Sequence, residues 1–494
     1  MKKSDPKETD QVSRRAALGL GVTLGAAAIG CGSDDESVPP AEIQEATPPA
    51  PTSDPPKNDP PPPTKPPEEE PKLGPKELLA GVEHIVVVMM ENRSFDHYLG
   101  ALAFDPAYAN KATVAGLTGE ETNPAPDGSA VKVFKMNNFT PEDPPHGWNA
   151  AHKQFNEGKN DGFVTEHAGA SQNEAMGYHD RSQIPLFYWF ADNFAVCDNW
   201  FASVLGPTWP NRFYLHATTS KGKKDNSPFL TGAPESIWEA LKAKGLTFKN
   251  YAAGVVTFYL GGFAGKVPSL NPSAPIKEFF DAAKAGNLPA FSMIDPDFQA
   301  SDDHPSHNIQ RGQAFVASVY KALAESPAWP KTLLIITYDE NGGFYDHVAP
   351  PKVQDDDEEF TNLGFRVPTF VIGAMVKKGY VSKVQMEHSS VAATLRTRFD
   401  IKNLSTRMQG TNDITDCIDP KKVKAPAAPP LGMPQVAMTM QAALYDNVGD
   451  HSQPLLGEMV DKGIISPVNS TNHQERIASW LKDANRLGAV RLIK

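Results

Sequence analysis

The sequence predicts an α/β protein: a doubly wound central sheet flanked by helices, with a C-terminal helical extension. Short unbroken apolar runs rich in β-branched residues suit strands covered on both faces, as in a parallel sheet. Stretches of helical periodicity alternate with them, the pattern of strands joined by crossover helices. The third observation is where the runs stop. Ile85–Met90 gives way abruptly to Glu91, Asn92, Arg93 and Ser94, and Leu333–Thr337 is followed closely by Asp339 and Glu340. In open α/β sheets, ligands bind outside the carboxyl ends of strands.

In chain order, the expected strands are Ile85–Met90, Phe291–Ile294, Leu333–Thr337 and Val367–Ile372. The expected helices are Gln183–Ala195, Ser236–Lys244, Ile276–Ala285, Gln313–Glu325 and Ser389–Phe399. Pro207 and Pro210 bracket a turn leading into a helix over Arg212–Ala217, and Ala103–Pro145 reads as loops or a small insertion. After Pro420, a Pro-, Ala- and Lys-rich linker (Lys421–Met433) precedes helical patterns at Gln453–Lys462 and His473–Arg486.

The first thirty residues read as an address. Lys2, Lys3 and Lys7 precede Ser13-Arg14-Arg15, and Ala16–Ile29 is small and apolar. Paired arginines before a modest apolar region resemble a twin-arginine export signal. Ala28-Ile29-Gly30-Cys31 resembles a lipoprotein processing box, with Cys31 as the lipidated residue. The alternatives are an ordinary cleaved signal or a short anchor, although the apolar run falls short of the roughly 20 residues of a membrane span. Residues 31–76 take many of the 45 prolines and read as an extended tether. A catalytic domain is expected over 77–420, and the linker with its helical extension over 421–494. The implied location is the cell envelope, periplasmic or surface, with the lipid anchor as the membrane contact.

The chain has 494 residues, 40% of them hydrophobic, and a formal net charge of -12. That charge argues against nucleic acid as the main partner, which requires a basic surface. A small anionic substrate remains compatible, because a metal and one arginine reverse the sign locally. Besides Cys31, the chain has Cys197 and Cys417, too few for a disulfide framework; Cys197 reads as a small buried hydrophobe.

Four polar constellations carry chemistry. Glu91 and Asn92 at one strand end, with Asp339 and Glu340 at another, would form an oxygen-rich site for one divalent metal, since neighbouring buried carboxylates repel unless a cation lies between them. Gly342 and Gly343 then permit a tight turn. In Gly206–Arg212, Thr208 lies between prolines at a helix start, where backbone N–H groups favour an anion; its hydroxyl suits either a helix cap or a metal-activated nucleophile. His146, His304, His347 and His388 lie in loops beside Gly, Pro, Asp or Ser, positions suited to phosphate binding or proton transfer. The acidic run Asp355–Glu359 reads as a solvated loop. His84 and His97 read as structural.

ENRSFDHYLG, GPTWPNR, DDHP and TYDENGGFYDHV occur in the order in which similar motifs occur in the bacterial phosphoesterase family, and together the chain resembles that family over about Val82 to Phe399. The family contains the non-zinc phospholipases C and acid phosphatase A–type enzymes and is similar in fold to the alkaline phosphatase superfamily. The resemblance implies Glu91, Asn92, Asp339 and Glu340 as ligands of one divalent metal, and Thr208 as the nucleophile that also touches it. It implies His146 and His304 around the phosphoryl and leaving groups, with His304 as acid. Asp346, His347, His388 and Arg212 lie in matching segments as additional site residues. The implied function is phospholipase C-like hydrolysis of phosphodiesters through a phospho-threonine intermediate, with phospholipid as a substrate class. An acid phosphatase-type phosphomonoesterase is the alternative within the family, and a non-catalytic surface-binding lipoprotein the alternative outside it. The pattern departs from the family at Trp209 and Asn341, and a sulfatase-like reading is disfavoured because Thr208 stands where that pattern has Cys or Ser.

Overall fold

The computed structural model describes residues 72–169, 171–439, 453–468 and 473–493. The export signal, Cys31 and all but the last residues of the tether (72–76) lie outside that range. A central sheet contains eight strands: β1 (His84–Met90), β2 (Ala195–Cys197), β3 (Phe248–Ala252), β4 (Ser273–Pro275), β5 (Phe291–Asp295), β6 (Thr332–Tyr338), β7 (Phe370–Gly373) and β8 (Tyr380–Ser382). Their order is β8-β2-β7-β6-β1-β5-β3-β4. The apolar runs form the middle of the sheet, where β6 and β5 are buried throughout and β1 at every residue but the first.

The sheet is mixed rather than wholly parallel. β6, β1, β5, β3 and β4 run parallel, whereas β7 is antiparallel to both β6 and β2. Parallel strands require a crossover connection, usually a helix. Between β6 and β7 the chain forms only loops and one 3-10 turn (Glu358–Phe360), so it returns from the end where β6 finished. The strands absent from the sequence expectation are mostly three-residue elements at or near the sheet edges, too short for a readable period. One of them, β2, takes over the end of the helix expected over Gln183–Ala195, which closes at Asn193.

Helices surround the sheet: α1 (Phe95–Leu99), α2 (Thr208–Ala217), α3 (Ile309–Ala324) and α4 (Ser389–Phe399) are those that bear on the site. α2 begins four residues earlier than expected. Pro210 occupies its third position, where an N–H has no intrahelical partner and its loss costs nothing. The C-terminal extension is not purely helical, because Val436–Thr439 and Val490–Ile493 pair as a two-stranded parallel sheet. Leu456 and Met459, on the helix Pro454–Asp461, join the main core. Asp355, expected in solvent, is bonded by Tyr214 Oη at 2.8 Å and paired with Arg407 at 2.9 Å, with both side chains of that ion pair buried. Cys197 and Cys417 are buried free thiols whose sulfurs lie 3.8 Å apart. Among the described residues no helix is long and apolar enough to cross a membrane.

Candidate active site

Strand register places the acidic groups. Met90 pairs with Tyr338, so Glu91 and Asp339 leave β1 and β6 side by side, and the Asp339 N–H continues the ladder to the Met90 carbonyl at 3.1 Å. Val88 pairs with Ile294, which brings Asp295, the last residue of β5, to the same edge. Three buried carboxylates therefore end three adjacent strands. Arg212, on α2, answers all of them: Nη2 lies 3.2 Å from Glu91 Oε1, Nη1 3.3 Å from Asp295 Oδ1, and Nε 3.2 Å from Asp339 Oδ2. Nη2 also donates to the carbonyls of Met89 and Met90 at 3.2 and 3.3 Å. Burial raises the Glu91 pKa well above the usual carboxylate range, and Arg212 draws it back. Burial likewise raises Asp295, again against Arg212.

Arg212 is thus a buried counter-charge whose Nε, Nη1 and Nη2 all face protein oxygens. Its single positive charge offsets only part of the charge of Glu91, Asp339 and Asp295. Asp295 was missed, although it ends an apolar run just as Glu91 and Asp339 follow theirs.

Asn92 turns the chain out of β1 with φ 61°. Its N–H donates to Asp339 Oδ1 at 3.0 Å, and its amide nitrogen lies 3.2 Å from His146 Nε2. Glu340 Oε2 accepts the Gly342 N–H at 2.6 Å, and Oε1 lies 3.8 Å from His146 Nε2. The two glycines explain how these loops meet. A Cβ on Gly342 would lie 2.1 Å from the Asn92 carbonyl oxygen, and one on Gly343 2.6 Å from Pro144 Cβ; both residues also have positive φ, so only glycine fits. His146 Nδ1 is directed by the Pro144 carbonyl at 2.7 Å. Its own burial depresses the His146 pKa, but Glu340 and Asp143 outweigh that and hold it up to about 9. Burial pushes Glu340 up to about 8, with His146 opposing.

The DDHP segment supplies the other wall. The Asp302 carbonyl accepts the Glu91 N–H at 2.8 Å, and its Oδ1 accepts the His304 N–H at 3.1 Å and faces His307 Nδ1 at 2.6 Å. Asp303, with φ 72°, binds Tyr338 Oη at 2.6 Å, and Arg93 Nε donates to its carbonyl at 2.8 Å. His304 Nδ1 lies against the Pro305 carbonyl, and the His304 ring stands 5.7 Å from that of His146. Burial lowers the His304 pKa despite Asp143 nearby. Asp143, His146 and His304 present ligand atoms all within 4.8 Å of one another; Asp143 was not singled out from sequence.

Thr208 is buried at the first position of α2, one helical turn before Arg212 and on the same face. The N-cap position belongs to Pro207, so Thr208 is not the residue that caps the helix. The helix start offers an anion less than expected, since the Trp209 N–H is taken by Asn226 Oδ1 at 2.9 Å and Pro210 has none. Asn211 fixes the approach: its amide accepts from Val204 N at 3.0 Å and donates to the carbonyls of Gly206 and Pro207 at 3.0 and 3.1 Å. His388 bonds the backbone, Nε2 donating to the Asp339 carbonyl oxygen at 2.7 Å, which makes Nε2 the protonated nitrogen.

Asp346 and His347 are not brought to this edge. Asp346 is bidentate to Arg366 at 2.9 and 3.0 Å, and His347 Nδ1 bonds Asp96, itself 3.0 Å from Arg366. Their ligand atoms also cluster with those of Asp96 within 4.8 Å, but the guanidinium already neutralises both carboxylates. They anchor the loop after Gly343 to α1, with the help of Ser94, whose Oγ donates to the Tyr345 carbonyl at 2.6 Å.

A hard divalent cation takes oxygen ligands, and three such oxygens at this edge are unclaimed. Glu91 Oε2, Asn92 Oδ1 and Glu340 Oε1 are buried and have no hydrogen-bond partner among the described residues. Leaving such atoms unpaired costs free energy, and oxygen donors of this kind suit calcium, magnesium or manganese. The residues fit a cation.

An edge with acidic oxygens on one side and imidazoles on the other suits transfer of an anionic group, and comparison with known proteins specifies which. The model of the Phosphoesterase family matches residues 82–402, so the chain belongs to that family. It is 35% identical over 373 residues to non-specific phospholipase C1 of Arabidopsis thaliana, covering 67% of this chain and 69% of that protein. It is 29% identical over 426 residues to phospholipase C B of Mycobacterium tuberculosis, covering 72% and 81%. Among solved structures it is similar to a protein of the alkaline phosphatase superfamily from Vibrio parahaemolyticus, at 15% identity and a TM-score of 0.34, covering 70% and 79%. The chain is a hydrolase acting on phosphoric ester bonds.

Proposed function

We propose that this phosphoesterase is a metal-dependent phospholipase C-type enzyme that cleaves phosphodiesters through a phosphorylated Thr208. The observation that carries the reading is the trio of unclaimed buried oxygens, Glu91 Oε2, Asn92 Oδ1 and Glu340 Oε1, at the edge to which Arg212 ties the threonine's helix. A divalent cation held by those residues and Asp339 would supply Lewis acidity toward a phosphoryl oxygen and lower the pKa of the Thr208 hydroxyl. Thr208 loses its proton to solvent and forms the new bond to phosphorus as the alcohol leaves. One of the two facing imidazoles, His304 or His146, gives that alcohol its proton. Water then attacks phosphorus and passes its proton to that imidazole, and the departing Thr208 oxygen takes a proton back from solvent.

The phospholipase C names of the relatives favour a diester over a monoester. With phosphatidylcholine and p-nitrophenyl phosphate as substrates, we expect faster turnover of the lipid, abolished by a chelator and restored by divalent metal. Hydrolysis of the monoester alone would remove the phospholipase reading, and chelator-resistant activity the metal. The envelope location belongs to the same reading and is supported by Arg14-Arg15, Ala16–Ile29 and Cys31. Cys31→Ser is expected to move the protein from the membrane fraction to the soluble one; a wild-type protein that is already soluble ends the lipoprotein idea.

A further inference from the structure

Gln453 lies outside the segment that matches the family, 82–402, yet its side chain ends at the acidic edge. Its Nε2 donates to Glu91 Oε1 at 2.6 Å, and its Oε1 accepts from Trp209 Nε1 at 2.6 Å. The chemistry of the partners fixes which way the amide faces. An indole N–H only donates, so the amide oxygen must face Trp209, and the NH₂ is left to face the carboxylate. Glu91 Oε1 is then shared between Gln453 and Arg212, while Oε2 stays unclaimed. The amide thereby settles which oxygen of Glu91 is spent on the protein and which remains for a cation.

The contact is built rather than incidental. Gln453 is itself buried, immediately before the helix Pro454–Asp461. Leu456 of that helix presses on the backbone of Gly261, where a Cβ would lie 1.9 Å from Leu456 Cδ2, so a larger residue at 261 would push the helix away. Further along, the Val468 N–H bonds the Val255 carbonyl at 2.7 Å, and Arg476 pairs with Asp297, just past β5, at 2.8 Å. Three separate attachments, at Gly261, Val255 and Asp297, seat the extension on the catalytic domain.

We propose that Gln453 is a positioning residue for Glu91, through which the C-terminal extension sets the cation affinity of the site. The inference rests on the metal reading above. Groups that hold a metal ligand from behind typically change affinity by about 10–100-fold when removed. Gln453→Met keeps the volume and deletes both bonds. In calorimetric titration of chelator-stripped full-length protein with Ca²⁺ alone and Mn²⁺ alone, it is expected to weaken Kd by about tenfold or more, and in turnover to lower kcat more than it raises KM. Trp209→Phe, which removes only the group that orients the amide, should weaken Kd less. The double variant should match Gln453→Met alone, because Trp209 acts through the glutamine. Wild-type Kd in Gln453→Met, even with a lowered Tm, overturns the proposal, as do additive effects in the double variant. If Gln453→Met does not fold, Trp209→Phe decides, and an unchanged Kd there overturns it. A wild-type chain that binds neither ion overturns the metal reading and this inference together, a result distinct from wild type and variant binding equally well.

Discussion

Thr208→Ala is expected to lower kcat/KM by more than about a thousandfold, a loss of about 4 kcal/mol of transition-state stabilisation, while leaving the fold intact. Catalysis should collapse because no other hydroxyl occupies the first position of the helix that Arg212 ties to Glu91 and Asp339. The fold should survive because Thr208 is not the helix cap: Pro207 holds that position. Removing a methyl and a hydroxyl at a buried site costs about 1 kcal/mol or less, the range of ordinary single substitutions. Steady-state kinetics beside thermal unfolding and metal analysis would check this. Near-wild-type rates would take Thr208 out of the mechanism, and loss of the fold together with the activity would return it to a structural part.

Arg212→Met is expected to destabilise the protein by about 3–5 kcal/mol, the cost of breaking a buried ion pair by removing one partner. Methionine fills much of the volume but leaves Glu91, Asp295 and Asp339 without their shared guanidinium, and removes the Nη2 donor from the carbonyls of Met89 and Met90. Each carboxylate must then stay ionised in an apolar surround or take up a proton. Since burial already raises Glu91 and Asp295 while Arg212 restrains them, both should rise further. Denaturant unfolding of the full-length chain would measure the effect. A loss below about 1 kcal/mol, the level of an exposed ion pair, would show that Arg212 is not the counter-charge of the strand ends.

The central strands were legible because a strand covered on both faces must be apolar throughout, and β1, β5 and β6 are. The polar residues at their ends were legible for the complementary reason: an abrupt change of polarity at a buried strand end needs a purpose. Register was not legible. Only the pairing of Met90 with Tyr338 and of Val88 with Ile294 makes Glu91, Asp339 and Asp295 neighbours. Histidines were the hardest to sort, since a loop histidine has the same local signature whether it faces a site or a salt bridge. His146 stands beside Asn92 and Glu340, whereas His347 is absorbed by Asp96 and Arg366. Arg93 shows the same limit: its place in the opening motif leaves its role open between substrate and loop, and in the structure it holds the Asp303 carbonyl and faces His97.

By itself, then, the sequence determined the class of fold, the strand ends at which chemistry would occur and the residue types available there, because periodicity and polarity are local properties of the chain. The tertiary structure alone decided three things: that β7 turns back antiparallel, that one guanidinium pairs with three strand-end carboxylates, and that a glutamine 362 residues beyond Glu91 touches it. The reason is the same for each. Counter-charge and hydrogen-bond partnership depend on proximity in space, and at separations of tens to hundreds of residues nothing in the local pattern of a chain encodes which groups will meet.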